Sequence, residues 1–192
     1  MSVTLPAGAM LSLTKTAAGV TAVTVEIGWI LPSPDDYDVD AFAIALGTDG
    51  KAPTDSDFVY YSNRTSPDRA ITLTSNEAGA SDNDHVFTID LTAVSEHITS
   101  IVFPVSIHDA QFRQHSFDQV RDVFIRVLSQ DTGTELARYD LPNAVTPVSN
   151  TAALLGDLHR RGTDWIFRPL GQAVPEGFEG LARLYARRED NA

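Results

Sequence analysis

The 192-residue chain contains no cysteine. That excludes disulfide staples, thiolate nucleophiles, zinc sites built on thiolates and direct thiol chemistry on an oxyanion. Bases are also scarce. Fourteen Lys and Arg stand against 26 Asp and Glu, and a net charge of −12 repels phosphate backbones, so nucleic acid is not an expected partner. No apolar run approaches the length of a membrane span, and the longest, Val39 to Leu46, already contains Asp40. The opening Met1-Ser2-Val3-Thr4-Leu5-Pro6 has no basic segment before an apolar one, so it does not read as a secretory signal and the cytoplasm is the expected location. There is no Gly-x-Ser-x-Gly elbow, phosphate-cradling loop or dinucleotide fingerprint, and no aromatic cleft pattern to support paired carboxylates as a glycosidase.

What is present is a period of two. Val23, Val25, Ile27 and Trp29 alternate with Thr24, Glu26 and Gly28, as do Ile101, Phe103, Val105 and Ile107, where Pro104 hints at an edge or a bulge. Val39 to Leu46 and Val123 to Leu128 are more continuously apolar and read as more deeply buried strands, and Val86 to Leu91 as another short one. Asp131-Thr132-Gly133 and Arg161-Gly162-Thr163-Asp164 each separate two apolar runs and predict hairpins. Helical spacing is confined to Phe178, Leu181, Leu184 and Tyr185 after Pro175, with a turn or two after Thr92. With 43% hydrophobic residues the chain can bury one core. The expectation is therefore all-β: a single domain over 1–192, a two-sheet, mainly antiparallel β-sandwich with a short C-terminal helix. Trp29, Phe42, Phe103 and Ile125 are expected in the core.

The acids are not evenly spread. Residues 35–90 hold twelve acids against three bases, three-quarters of the surplus in under a third of the chain. Asp36-Tyr37-Asp38-Val39-Asp40 opens like an EF-hand loop, but Ala41 stands where that loop needs Gly and Gly47 where it needs Glu, so the EF-hand is rejected. What survives is a loop with adjacent carboxylates entering a strand, and a solvated acidic turn is the plain alternative. In the segment 76–85, Asn76, Glu77, Asp82, Asn83 and Asp84 surround small residues, a donor set suited to a hard cation, though equally a polar connection between strands. His108-Asp109 ends a strand, and His85, His97, His115 and His159 show no ligand spacing, so a structural pair outweighs a hydrolase metal site.

Several stretches form a recognisable set: Ser2 to Leu5 with Leu11-Ser12-Leu13-Thr14-Lys15; Gly19 to Val25 running to Gly28-Trp29; and Asp38-Val39-Asp40-Ala41. Ile107-His108-Asp109-Ala110, Phe117-Asp118-Gln119-Val120, Gln130 to Leu141, Gly156 to Arg160 and Trp165 to Gln172 with Gly180-Leu181 continue it across essentially the whole chain. Together they resemble the tellurium-resistance (TerD/TerZ-type) family of calcium-binding stress proteins. The resemblance implies a β-sandwich with two neighbouring calcium sites, no known catalysis, a role in resistance to tellurite, phage or other stress, and other stress-operon proteins as partners. It also brings two loops together, so Asp38, Asp40, Asn76, Glu77, Asp82 and Asp84 become the expected ligands of one or two calcium ions, with Asp109 as a further one.

The sequence departs from the family pattern in the second loop. Thr74-Ser75-Asn76-Glu77-Ala78-Gly79 lacks an Asp and carries Glu77 where Arg is usual, and His85 stands where Glu is common. Weaker binding than the family's is expected, weakening further as His85 protonates below about 6.5. A metal-free scaffold of the same fold explains these departures equally well, and a metal-dependent hydrolase explains only the scattered carboxylates. With no thiol and an acidic surface, no direct tellurite binding is expected.

Overall fold

The computed structural model describes residues 3–31, 37–74, 85–142 and 150–187. Two sheets, mainly antiparallel, pack face to face. The first contains β1 (Val3–Thr4), β3 (Ala22–Ile30), β7 (Ile71–Thr74), β8 (His85–Asp90), β10 (Arg121–Ser129) and β11 (Glu135–Asp140), in the order β1-β11-β10-β3-β8-β7. The second contains β2 (Leu11–Ser12), β4 (Val39–Ala41), β5 (Ala43–Leu46), β6 (Phe58–Val59), β9 (Ser100–Ile107), β12 (Ala152–Arg161) and β13 (Asp164–Val174). Its order is β2-β13-β12-β9-β5-β6, with β4 also paired to β9. Among the described strands, only β1 runs parallel to its partner. The described residues form three α-helices, α1 (Leu13–Thr16), α2 (Ala110–Arg113) and α3 (Gly177–Tyr185), of which the last alone exceeds two turns. None of these helices is long and apolar enough to cross a membrane.

The two sheets solve burial differently. In the first, Val23, Val25, Ile27 and Trp29 of β3 point inward while Thr24 and Glu26 are half-buried on the outer face, as strict alternation demands. β10 follows the same rule. Val123, Ile125 and Val127 are buried, but Phe124, Arg126 and Leu128 lie half-buried outside, so this strand is less deeply covered than its apolar run suggests. In the second sheet both faces are covered. Ile101, Phe103 and Val105 of β9 face the main core, whereas Val102 joins Phe42, Ile44, Leu154 and Leu181 in a second cluster beneath α3. Burial on both faces is what gives β5 and β12 their unbroken apolar runs.

Trp29, Phe103 and Ile125 belong to the main core as expected; Phe42 is buried in the second cluster instead. Pro104 is not at an edge, since β9 is paired on both sides. It sits opposite Leu154 where the register shifts before Gly156, and its carbonyl accepts from Phe42 N–H at 2.9 Å in the gap between β4 and β5. A missing N–H is tolerated at such an irregularity. Both hairpins form, the second closing through Gly162 at φ 65. The turn after β8 is held by the Asp90 carboxylate, which accepts from Thr92 N–H at 2.9 Å and Ala93 N–H at 3.1 Å.

Helix α3 reaches its sheet through a tight start. Glu176 and Gly177 are both left-handed, at φ 68 and φ 56, and the Gly177 backbone lies close over the Thr151 and Ser106 hydroxyls. A Cβ on Gly180 would run into the Pro175 carbonyl oxygen, so glycine is required for the first turn to fold back on the strand before it. Leu181 is fully buried, but Phe178 and Leu184 remain partly exposed, so the buried face of the helix is narrower than its apolar spacing implies.

Candidate functional site

The Asp38-Val39-Asp40-Ala41 element is positioned by β9. Val39 lies opposite Ile107, Asp40 opposite Ser106 and Ala41 opposite Val105, and the Asp38 carbonyl accepts from His108 N–H at 2.8 Å. Val39 and Ala41 face the core, so the period of two turns Asp38 and Asp40 to the opposite face. Asp38 is exposed. Asp40 is half-buried, on the same face as the buried Ser106. Burial and then the neighbouring Asp38 charge push its carboxyl up to about 6, a rise that His108 partly offsets. Ionisation of Asp40 is therefore disfavoured at this position.

The second loop joins β7 to β8, whose last described pair is Thr74 with Val86. Asn76, Glu77, Asp82 and Asp84 lie outside the described residues. His85, which follows them, is within the field of Asp38. This histidine lies tilted against Trp29 with 5.1 Å between ring centroids, and its Nδ1 is buried without a hydrogen-bond partner among the described residues. Burial pushes it down to about 4, against which the Asp38 charge acts in the opposite sense. The expectation that His85 titrates near 6.5 is therefore corrected: it stays neutral well below that, and the group that titrates near 6 on this rim is Asp40.

Asp109 is held differently. It takes a left-handed conformation at φ 50 immediately before α2, which an aspartate tolerates better than most side chains. Its carboxylate stands 3.4 Å from His108 Nε2, with both side chains more than half exposed. The segment that follows is tied back to the first loop, where Tyr37 stacks on His115 at 3.9 Å and hydrogen-bonds Gln119.

The site residues thus divide into three groups. Asp38 and Asp40 come together on one face of one strand. Asp109 lies two residues past the end of β9 and completes no ligand set, since no three His, Asp or Glu side chains among the described residues stand close enough to hold a metal ion. The other four lie outside the described residues. The donors that can be assessed are carboxylate oxygens, which suit a hard cation such as calcium over zinc or copper. Two features escaped the sequence reading. One is the elevated Asp40 carboxyl, whose only signal was an acid inside an apolar run. The other is an aromatic groove beside it, formed from segments far apart in the chain.

The whole chain matches known proteins. Residues 1–185 match the TerD domain family model. A tellurium resistance protein TerD from Serratia marcescens is 42% identical over 189 residues, covering 96% of this chain and 97% of that protein. General stress protein 16U from Bacillus subtilis (strain 168) is 31% identical over 191 residues, with 96% and 97% covered. Among solved structures, a homologue of telluride resistance protein from Streptomyces coelicolor A3(2) superposes with a TM-score of 0.65 at 21% identity. That match covers 88% of this chain and all of the other, a likeness of fold.

Proposed function

The chain belongs to the TerD domain family of tellurium-resistance and stress-response proteins, and we propose that it acts there as a calcium-binding, non-catalytic module. One observation carries the reading. Asp38 and Asp40 are turned to the same face at β4, where burial and the neighbouring Asp38 charge disfavour the ionised form of Asp40. Two carboxylates ~4 Å apart repel by ~1 kcal/mol in water-like surroundings and ~4 kcal/mol at an effective dielectric of 20, and a divalent cation between them reverses the sign. Calcium takes six to eight oxygens. Asp38 and Asp40 would supply some of them; Asn76, Glu77, Asp82 and Asp84 would supply more from the β7–β8 connection, and Asp109 would serve a second ion. Bound calcium supplies ordering and charge neutralisation, in keeping with a cytoplasmic module that docks on other stress-operon proteins. A metal-free scaffold is the competing reading, favoured by the departures of the second loop from the family pattern at Glu77 and His85.

Thermal unfolding separates the two. For a site with a Kd of ~10 μM, ~1 mM free calcium stabilises the folded state by ~2.7 kcal/mol. The melting temperature then rises by roughly 5–10 °C over that in chelator. Magnesium gives a much smaller rise, because it resists dehydration and demands tight octahedral geometry. Asp40→Asn removes most of the calcium rise while leaving the metal-free fold intact. Identical melting in chelator and calcium would leave the scaffold reading.

A further inference from the structure

On the outer face of the second sheet, next to Asp40, lies an open groove of about 570 Å³. Its walls come from three places: Tyr60 and Tyr61 after β6, the His108–Phe112 segment, and the first turn of α3. Phe42, Tyr60 and Phe178 form its aromatic side. Phe42 and Phe178 stack at 5.5 Å between centroids, and Phe42 and Tyr60 stand 5.4 Å apart. Three large rings on its border stay in water: Phe112 at 90% exposure, Tyr61 at 59% and Phe178 at 46%. Exposed aromatics clustered around one concavity mark an interaction surface. The charges there have one sign. Asp40, Asp109, Glu176 and Glu179 line the groove, and no Lys or Arg is among its described lining residues.

The same chain shows what this combination of ring and carboxylate accepts. On the outer face of the first sheet, Arg138 lies over Phe124 at 4.3 Å from the centroid and bonds Asp140 at 2.8 Å. Arg126 approaches the same ring at 5.7 Å and bonds Glu26 at 2.7 Å. There an internal arginine fills each site. At the groove one internal arginine, Arg183, pairs with Glu176 from the helix side; Asp40 and Asp109 are left to calcium, and Glu179 is the acid with no arginine or lysine partner among the described residues, the one offered to an incoming guanidinium. A guanidinium both stacks on aromatic faces and forks to carboxylates, which an ammonium does less well. We propose that this groove docks an arginine-bearing segment of a partner polypeptide, steered by the −12 net charge, with Phe112 as the anchor at its rim. The surface is separate from calcium binding in its test, because Phe112, Phe178 and Glu179 are not among the expected metal ligands.

The test titrates the full-length, isotope-labelled protein, at fixed millimolar calcium, with an acetylated and amidated Arg-Leu-Arg-Leu-Arg peptide. Its glutamate-for-arginine counterpart is the control, and amide shifts are followed by NMR. Saturable shifts are expected at Tyr61, Phe112 and Phe178, and none with the glutamate peptide. Phe112→Ala, at a side chain too exposed to affect folding, should weaken binding roughly tenfold. Glu179→Gln should weaken it severalfold and flatten its salt dependence. The calcium-induced rise in melting temperature should be unchanged in both variants, so failure here is distinct from failure of the metal reading. No shifts at millimolar peptide, equal binding of the glutamate peptide, or full affinity in Phe112→Ala would each overturn the proposal. So would a Phe112-dependent dimer, which would assign the groove to a second copy of the chain.

Discussion

The outer faces of the two sheets carry similar groups in opposite circumstances. On the first sheet the outward charges are paired among themselves beside Phe124: Arg126 reaches Glu26 at 2.5 Å and Glu135 at 3.5 Å, and Arg138 reaches Asp140 at 2.8 Å. On the second sheet the outward residues are mostly apolar and covered by α3, and the acids there stand beside aromatic rings. An acid in the first setting is matched by an arginine; Asp40 in the second is desolvated and set against Asp38. The lesson concerns where a β-sandwich can store unfavourable electrostatics. It does so beside a strand buried on both faces, where neighbouring packing holds the backbone in place.

The largest break in this comparison comes from uncovering the second sheet. Leu181→Ala removes the fully buried side chain that seats α3 and is expected to cost about 2–5 kcal/mol, read from the shift in denaturant midpoint. Thr24→Ala, on the outer face of the first sheet, should stay within about ±0.5 kcal/mol. Equal costs would mean that α3 is not a structural layer.

A smaller effect, and one that sharpens the contrast, is the pH dependence of metal-free stability. Asp40 is raised from 3.8 to about 6 in the folded state, so its contribution is fully present below pH 3.8 and lost as pH rises through 6. His85 is lowered from 6.5 to about 4, so its contribution is present above 6.5 and lost as pH falls through 4. The two slopes oppose each other between pH 4 and 6. Asp40→Asn removes one of them, so the variant should gain on the parent as pH rises across that window. With allowance for solvent still reaching Asp40, the gain is on the order of 1–2 kcal/mol. Urea titrations of both proteins at pH 4 and pH 7 in chelator measure it, and parallel profiles would contradict the burial of Asp40.

On the first sheet, Glu26→Gln loosens a partly buried ion pair whose arginine keeps a second partner in Glu135, and should cost on the order of 1 kcal/mol, diminishing with added salt. The smallest expected effect is none at all. Equilibrium dialysis with tellurite should detect no stoichiometric complex, since the chain offers no thiol and an acidic surface; a saturable complex would contradict this.

Much of the fold was legible because alternation is a local signal. Val23 to Trp29 could only be a half-buried strand, and Gly162 between two apolar runs could only be a turn. Depth was less legible. Val123 to Leu128 and Val39 to Leu46 look alike as strings, yet the first lies on a sheet with one outer face open and the second beneath a helix more than a hundred residues later. Pro104 could not reveal that its missing N–H falls at a register shift of β12, a non-local fact. Asp38 and Asp40 were legible as a pair because spacing of two places them on one strand face. The displaced titration of Asp40 and His85 was not, because it arises from burial by residues remote in sequence. The groove was invisible for the same reason, since Tyr61, Phe112 and Phe178 become neighbours only through the packing of α3 and the segment after β9.

The central claim is that the Asp38–Asp40 rim holds calcium, and a calorimetric titration of calcium into metal-stripped protein at pH 7 tests it most directly. The account predicts saturable binding of one or two ions with a Kd of ~10 μM for at least one site, weakening as pH falls below about 6 and abolished or greatly weakened in Asp40→Asn. No saturable heat up to millimolar calcium, or undiminished binding in Asp40→Asn, would contradict it.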